Sequence, residues 1–167
     1  AELAILKAIL TKGGKAIYIV PLKALASEKY KEFSKKYNKI AKIGLSIGDF
    51  DSSDKKISNS DIIISTSEKM DSLIRHKVSW INDIRVIVVD EIHLLNDPGR
   101  GPTLEILLTI LKQKTNAVIL GLSATIGNPE ELADWLNAEL VIDKWRPVQL
   151  KKFVHYNGKN FPKDQEH

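Results

Sequence analysis

Val86-Ile87-Val88-Val89 runs without a polar break into Asp90-Glu91, and His93 follows two places later. A run of β-branched residues with no polar alternation predicts a strand buried on both faces, as a parallel sheet requires. Open α/β sheets place their ligands outside the carboxyl ends of such strands. The run therefore predicts a fold in which a buried strand delivers two acids to the rim of a sheet. Taken alone, Asp90 and Glu91 also read as first-turn acids of a helix, where the helix dipole favours them.

The remaining chain repeats the pattern. Aliphatic runs at residues 16–20, 42–47, 61–65 and 117–122 predict further strands, those at 16–20 and 117–122 as buried ones. Between them lie helical patterns. Leu3, Leu6 and Leu10 mark a helix over 1–11 that starts with no cap residue ahead of it and stops at Gly13-Gly14. Leu22, Leu25, Ala26, Tyr30, Phe33 and Tyr37 mark the apolar face of a second helix. Thr66 or Ser67 caps a third that runs to Arg75, and residues 78–81 pack it to the sheet. Leu104, Leu107, Leu108 and Leu111 form the buried stripe of a fourth, and Asn128-Pro129-Glu130-Glu131 opens a fifth that runs to about residue 137. Short strands are expected at 139–142 and 148–156, and a polar, mobile tail after Asn157. Strand and helix in alternation predict an α/β fold: a parallel sheet covered on both faces.

Composition narrows the function classes. The chain has no cysteine, which excludes disulfides and thiolate metal sites. It has no signal-peptide pattern and no apolar run near the roughly 18 residues of a membrane span, so a cytoplasmic protein without a membrane partner is expected. Charge is uneven. Residues 1–40 hold nine Lys against three Glu, whereas residues 81–167 hold ten basic groups against twelve acidic ones. Lys23, Lys29, Lys31, Lys35, Lys36 and Lys39 concentrate that excess on the second helix, away from its apolar face. Such a patch is either a contact for a phosphate backbone or a solvated helix face.

Two predicted strands end in polar clusters, Asp90-Glu91-Ile92-His93 and Ser123-Ala124-Thr125. Neighbouring parallel strands would bring both to one edge. Asn128 already serves as a predicted cap, which leaves the hydroxyls of Ser123 and Thr125 without that duty. Adjacent carboxylates suit nucleotide hydrolysis: one holds a hydrated Mg²⁺, the other positions or deprotonates the attacking water.

Seven short segments then stand in a telling order: Val20-Pro21-Leu22-Lys23-Ala24-Leu25-Ala26, Gly48-Asp49-Phe50-Asp51-Ser52, Thr66-Ser67-Glu68-Lys69 with Asp71-Ser72-Leu73-Ile74-Arg75, Asp90-Glu91-Ile92-His93, Arg100-Gly101 with Leu104-Glu105, Ser123-Ala124-Thr125, and Trp145-Arg146-Pro147-Val148. In this order and rough spacing the chain resembles the first RecA-like motor domain of superfamily 2 helicases, and more narrowly the archaeal DNA-repair branch of the Ski-like family. The resemblance implies ATP and Mg²⁺ as cofactors. It implies Asp90 as the Mg²⁺-side acid, Glu91 as the water-activating base and second carboxylate of the metal site, and His93 as a coupler toward Ser123 and Thr125. It implies that Pro21, Leu22, Lys23, Ala24, Gly48, Asp49, Thr66, Ser67, Glu68, Lys69 and Arg100 hold the sugar-phosphate backbone of single-stranded or forked DNA. Such contacts carry little sequence information. The expected activity is ATP-driven 3′ to 5′ unwinding in repair or stalled-fork processing.

The phosphate-binding loop of such motors, G-x-x-x-x-G-K-[ST], is not in the sequence. Gly13-Gly14-Lys15 is a decoy, since it follows a helix, precedes a strand, and continues with Ala16. The resemblance places the loop just before the helix at 1–11. The chain is thus expected to hold a partial motor domain over 1–144 and, over 145–167, an exit segment toward a second RecA-like domain and further DNA-gripping domains. Alone it is expected to be inactive toward ATP, and to be marginal in stability for want of a central strand. Two other readings stay open: a Ski-like RNA helicase domain, against which Ser67 speaks because RNA-directed relatives have proline there, and a non-enzymatic α/β nucleic-acid-binding module.

Overall fold

The aliphatic runs pair into one five-stranded, all-parallel sheet in a computed structural model that describes residues 1–48, 57–124, 126–143, 145, 147–148, 151 and 153–162. The strands are β1 (Lys15–Val20), β2 (Ile43–Ser46), β3 (Ile62–Thr66), β4 (Ile84–Val89) and β5 (Val118–Gly121), in the order β2-β3-β1-β4-β5. β1, β3 and β4 are central and buried almost throughout, as their unbroken apolar sequences require.

Side chains alternate across the sheet and build two cores. Ala16, Tyr18, Val20, Ile62, Ile64, Val86 and Val88 face α1 (Glu2–Lys12) and α2 (Lys23–Tyr37), against Ile5, Ala8, Ala26 and Phe33. Ile17, Ile19, Ile63, Ile84, Ile87 and Val89 face the other layer. There α3 (Ser67–Arg75), α4 (Gly101–Lys114) and α5 (Pro129–Leu136) supply Met70, Leu73, Leu104, Leu107, Leu108, Leu111 and Leu136. Trp80, in a short 3₁₀ turn before β4, joins this second core. Thr66 caps α3, its hydroxyl accepting the Lys69 N–H at 3.4 Å.

Several expectations are corrected. The buried face of α1 is Ile5, Ala8 and in part Ile9, whereas Leu3 and Leu10 are exposed, because a helix apolar on most sides offers more than one helical stripe. Leu22 and Leu25 are likewise exposed at the start of α2. β5 is not buried: it is an edge strand with Val118 61% exposed. Residues 139–142 form no strand. The C-terminal strand is β6 (Phe153–Tyr156), and residues past Asn157 form β7 (Lys159–Pro162) in an antiparallel hairpin instead of a loose tail. Asn157 and Gly158 both have positive φ, as a two-residue primed turn demands. Asn128 stands at the cap position of α5, but its amide donates to Glu131 at 2.8 Å and its oxygen does not cap the helix. The five strands follow one another without a gap, and the open edges are β2 and β5.

Candidate functional site

Because the sheet is parallel, every strand ends at the same rim. The register pairs Ser46 with Ser65, Val20 with Thr66, Ile19 with Val89, and Val89 with Gly121. Along the rim the order is therefore Gly48 after β2, Ser67, Glu68 and Lys69 after β3, Pro21 to Ala24 after β1, Asp90 to His93 after β4, and Ser123 after β5.

The acids occupy the middle of that rim through backbone pairing. Asp90 N–H donates to the Ile19 carbonyl at 2.8 Å, which extends the β1–β4 ladder by one step. Glu91 then turns left-handed at φ 54°, ends the strand, and precedes a 3₁₀ turn over Ile92–Asn96. This break swings Glu91 out of the strand's alternation. Asp90 Oδ1 accepts the Glu91 N–H at 3.1 Å, and Oδ2 accepts the Tyr18 hydroxyl at 3.2 Å. Tyr18 is 3% exposed. Its burial first, then the charge of Asp90 and the hydrogen bond to it, push the phenol's ionisation far above its usual range. Tyr18 therefore remains a donor.

The exits of β4 and β5 are stitched together. Leu122 N–H donates to the Val89 carbonyl and Ile92 N–H to the Leu122 carbonyl, each at 2.9 Å. Ile92 lies directly on Gly121, where an added Cβ would come within 2.9 Å of Ile92 Cδ1. This stitching brings the two polar clusters together: His93 Nδ1 is 3.3 Å from Glu91 Oε2 and 3.3 Å from Ser123 Oγ. An ionised carboxylate only accepts, so the tautomer with a proton on Nδ1 serves both neighbours.

Asp90 and Glu91 offer only oxygen ligands, and each Asp90 oxygen keeps accepting capacity beyond its one bond. Among the described residues no group of three or more His, Cys, Asp or Glu encloses a metal position. That donor set fits Mg²⁺, which keeps much of its water and takes one or two carboxylates together with substrate phosphates.

The other predicted contacts divide by exposure. Leu22, Lys23, Ala24 and Gly48 are exposed and Pro21 is half-buried. In the β3 loop and the first turn of α3, Thr66, Ser67, Lys69 and Met70 are buried, and Glu68 alone is exposed. Arg100 precedes α4 in a loop wrapped on Asp97, whose carboxylate accepts the Gly99 and Arg100 N–H groups at 2.9 and 2.8 Å. Its guanidinium pairs with no carboxylate among the described residues. Asp49, Thr125 and Arg146 lie outside the described residues.

Sequence reading passed over Tyr18. The signal was there: a tyrosine inside the aliphatic run of β1 must bury a hydroxyl that needs a partner.

A family model described as DEAD/DEAH box helicase matches residues 1–132. The ATP-dependent DNA helicase Hel308 of Methanocaldococcus jannaschii is 64% identical over 144 residues, covering 86% of this chain and 12% of that protein. The Pyrococcus horikoshii protein of the same name is 53% identical over 164 residues, covering 98% and 23%. That of Methanococcus vannielii is 53% identical over 172 residues, covering 99% and 23%. The chain thus spans less than a quarter of the length of these curated relatives. No helix among the described residues is long and apolar enough to cross a membrane.

Proposed function

We propose, from the premise that this chain belongs to the DEAD/DEAH box helicase family, that it forms part of the first motor domain of an ATP-dependent DNA helicase. The observation that carries the reading is the single rim on which an acidic pair, a histidine bridge and exposed backbone-rich loops stand side by side. Asp90 is the acid that would hold Mg²⁺, through water, and Glu91 shares that site. Mg²⁺ bound there would offset the charge of the nucleotide phosphates. Glu91, free of the strand's alternation, orients the attacking water and accepts its proton. Phosphate contacts supplied by a G-x-x-x-x-G-K-[ST] loop must come from residues outside these 167.

His93 transmits the state of Glu91 to Ser123 beyond the end of β5, because one ring nitrogen lies 3.3 Å from both Glu91 and Ser123, and Thr125 shares that duty. Pro21, Leu22, Lys23 and Ala24 leave β1 one strand away from Asp90, and with Gly48, Asp49, the first turn of α3 and Arg100 they hold the sugar-phosphate backbone of a single strand. Lys69 adds to the fold of that loop from inside. Helix N-termini and N–H groups suit phosphates of any sequence, as a translocating motor needs. Residues 145–167 lead toward a second RecA-like domain, and further DNA-gripping domains complete the machine. Single-stranded or forked DNA is the substrate, with repair or stalled-fork processing as the setting.

The test is ATP turnover by the full-length protein that carries this chain. Turnover is expected to rise with single-stranded DNA, to respond less to RNA, and to vanish in Asp90→Asn. Equal stimulation by RNA would favour an RNA helicase, and no turnover in the wild type would favour a non-enzymatic module.

A further inference from the structure

The hydroxyl of Tyr18 reaches past the edge of a hydrophobic core to touch one of the two acids. Its ring is locked on three sides. Phe33 of α2 packs edge-on at 5.6 Å between centroids, Lys29 lies over the ring at 5.9 Å, and the ring belongs to the core between the sheet and the α1–α2 layer. β1 and β4 are neighbours in register, Tyr18 opposite Val88, so Tyr18 and Asp90 stand on the same face one step apart. The ring can deliver its hydroxyl to few positions, and the one it occupies is Asp90 Oδ2 at 3.2 Å. The other oxygen is held by the Glu91 N–H. A carboxylate with both oxygens held has a fixed plane, yet each oxygen retains accepting capacity on the rim side.

Resting on the helicase reading above, we propose that Tyr18 is a positioning residue for the metal–nucleotide site, its buried hydroxyl setting the orientation of the Asp90 carboxylate. The same residue links that carboxylate to the α1–α2 layer. Phe33 packs in turn against Tyr37, again edge-on at 5.6 Å, and the Tyr37 hydroxyl is hydrogen-bonded to Glu2 of α1. Tyr18 also sits two residues before Val20, after which β1 gives way to the loop of half-buried Pro21 and exposed Leu22 and Lys23. A shift of β1 along its axis therefore carries the loop and the Asp90 partner together.

Hydrogen-bond partners of metal-ligating groups contribute about 10- to 100-fold to metal affinity or activity. The test uses the full-length protein with Mn²⁺ and a non-hydrolysable ATP analogue, the bound ion being counted by electron paramagnetic resonance. Tyr18→Phe keeps the ring and deletes the hydroxyl. It is expected to weaken Mn²⁺ binding about tenfold while single-strand DNA affinity stays within about twofold of wild type. Replacing Tyr18 by 4-aminophenylalanine, which restores a donor at the same point, is expected to recover most of the loss. Unchanged Mn²⁺ affinity in Tyr18→Phe overturns the proposal, and so does a loss that the amino variant fails to restore. Asp90→Asn separates the two claims: if it leaves Mn²⁺ binding and turnover intact, the acidic-pair reading itself fails, whatever Tyr18→Phe does.

Discussion

Gly121→Ala places a methyl group against the contact that joins the two halves of the rim. The new Cβ would lie 2.9 Å from Ile92 Cδ1 and 3.2 Å from Ile92 Cγ2, where ordinary contact begins at 3.4 Å. Ile92 must therefore retreat by about 0.5 Å. It is 2% exposed and packed in the second core, so the retreat is resisted. Overpacking of this kind costs about 1–3 kcal/mol, and the lower half of that range suits a clash with a side-chain end. Ile92 lies between Glu91 and His93, so its shift opens the 3.3 Å contacts among Glu91, His93 and Ser123. Misplacement by about 1 Å costs about a hundredfold in rate, and about half that displacement implies roughly tenfold. The assay is DNA-stimulated ATP turnover of the full-length protein across a double-mutant cycle. Ile92→Val removes Cδ1 at a cost of about 0.5–1.5 kcal/mol alone, but it clears the tighter clash. The double mutant is therefore expected to turn over faster than Gly121→Ala. Turnover of Gly121→Ala within twofold of wild type would refute the reasoning, as would a double mutant slower than either single one.

Three further outcomes follow from the same structure. Thr66→Ala removes the α3 cap and is expected to cost about 1 kcal/mol, read as a lower urea midpoint with DNA affinity reduced in step; no change in midpoint would deny the cap its role. Lys23→Ala is expected to weaken DNA binding equally across sequences and to lower the salt dependence by about one counterion, whereas a sequence-dependent loss would speak against a backbone contact. Hydrogen bonds from Lys36 first, then Lys29, hold the Glu32 carboxyl down to about 2 from an ordinary 4.5, and the Tyr37 hydroxyl, foremost, lowers Glu2 as well. A depressed folded value means the Glu32 contribution is present above about pH 4.5 and lost as pH falls through about 2, so α2, which holds Glu32 together with Lys29 and Lys36, should lose amide-exchange protection, corrected for intrinsic rate, before α4 does. Equal loss in both helices would contradict this.

The parallel sheet was legible because strands buried on both faces must be uninterrupted aliphatic runs, and β1, β3 and β4 are. Position within the sheet was not. The run at 117–122 is as apolar as the others, yet β5 lies at an edge, since apolarity states what a strand could bury and not what covers it. On α1, Leu3-Leu6-Leu10 and Ile5-Ala8-Ile9 are both helical stripes, and only the fold decides between them. The C-terminal hairpin was readable: Asn157-Gly158 is a strong two-residue turn signal, and the polar tail around it obscured β7. At the site, the acids, the histidine and Ser123 could be read from their places at strand ends. The inward side chain of Lys69 could not, because helix phase alone does not show how deeply a first turn is sunk. Nor could the hydroxyl of Tyr18 be assigned to Asp90 before the strand order was known.

The proposed role of Glu91, to activate water in an ATP site shared with Asp90, makes a direct demand on one rate. Single-turnover ATP cleavage by full-length Glu91→Gln, with DNA present, tests this most directly. ATP and DNA affinities are predicted to stay within about threefold of wild type while the cleavage rate falls by about 10² to 10⁴. Cleavage within tenfold of wild type would contradict it.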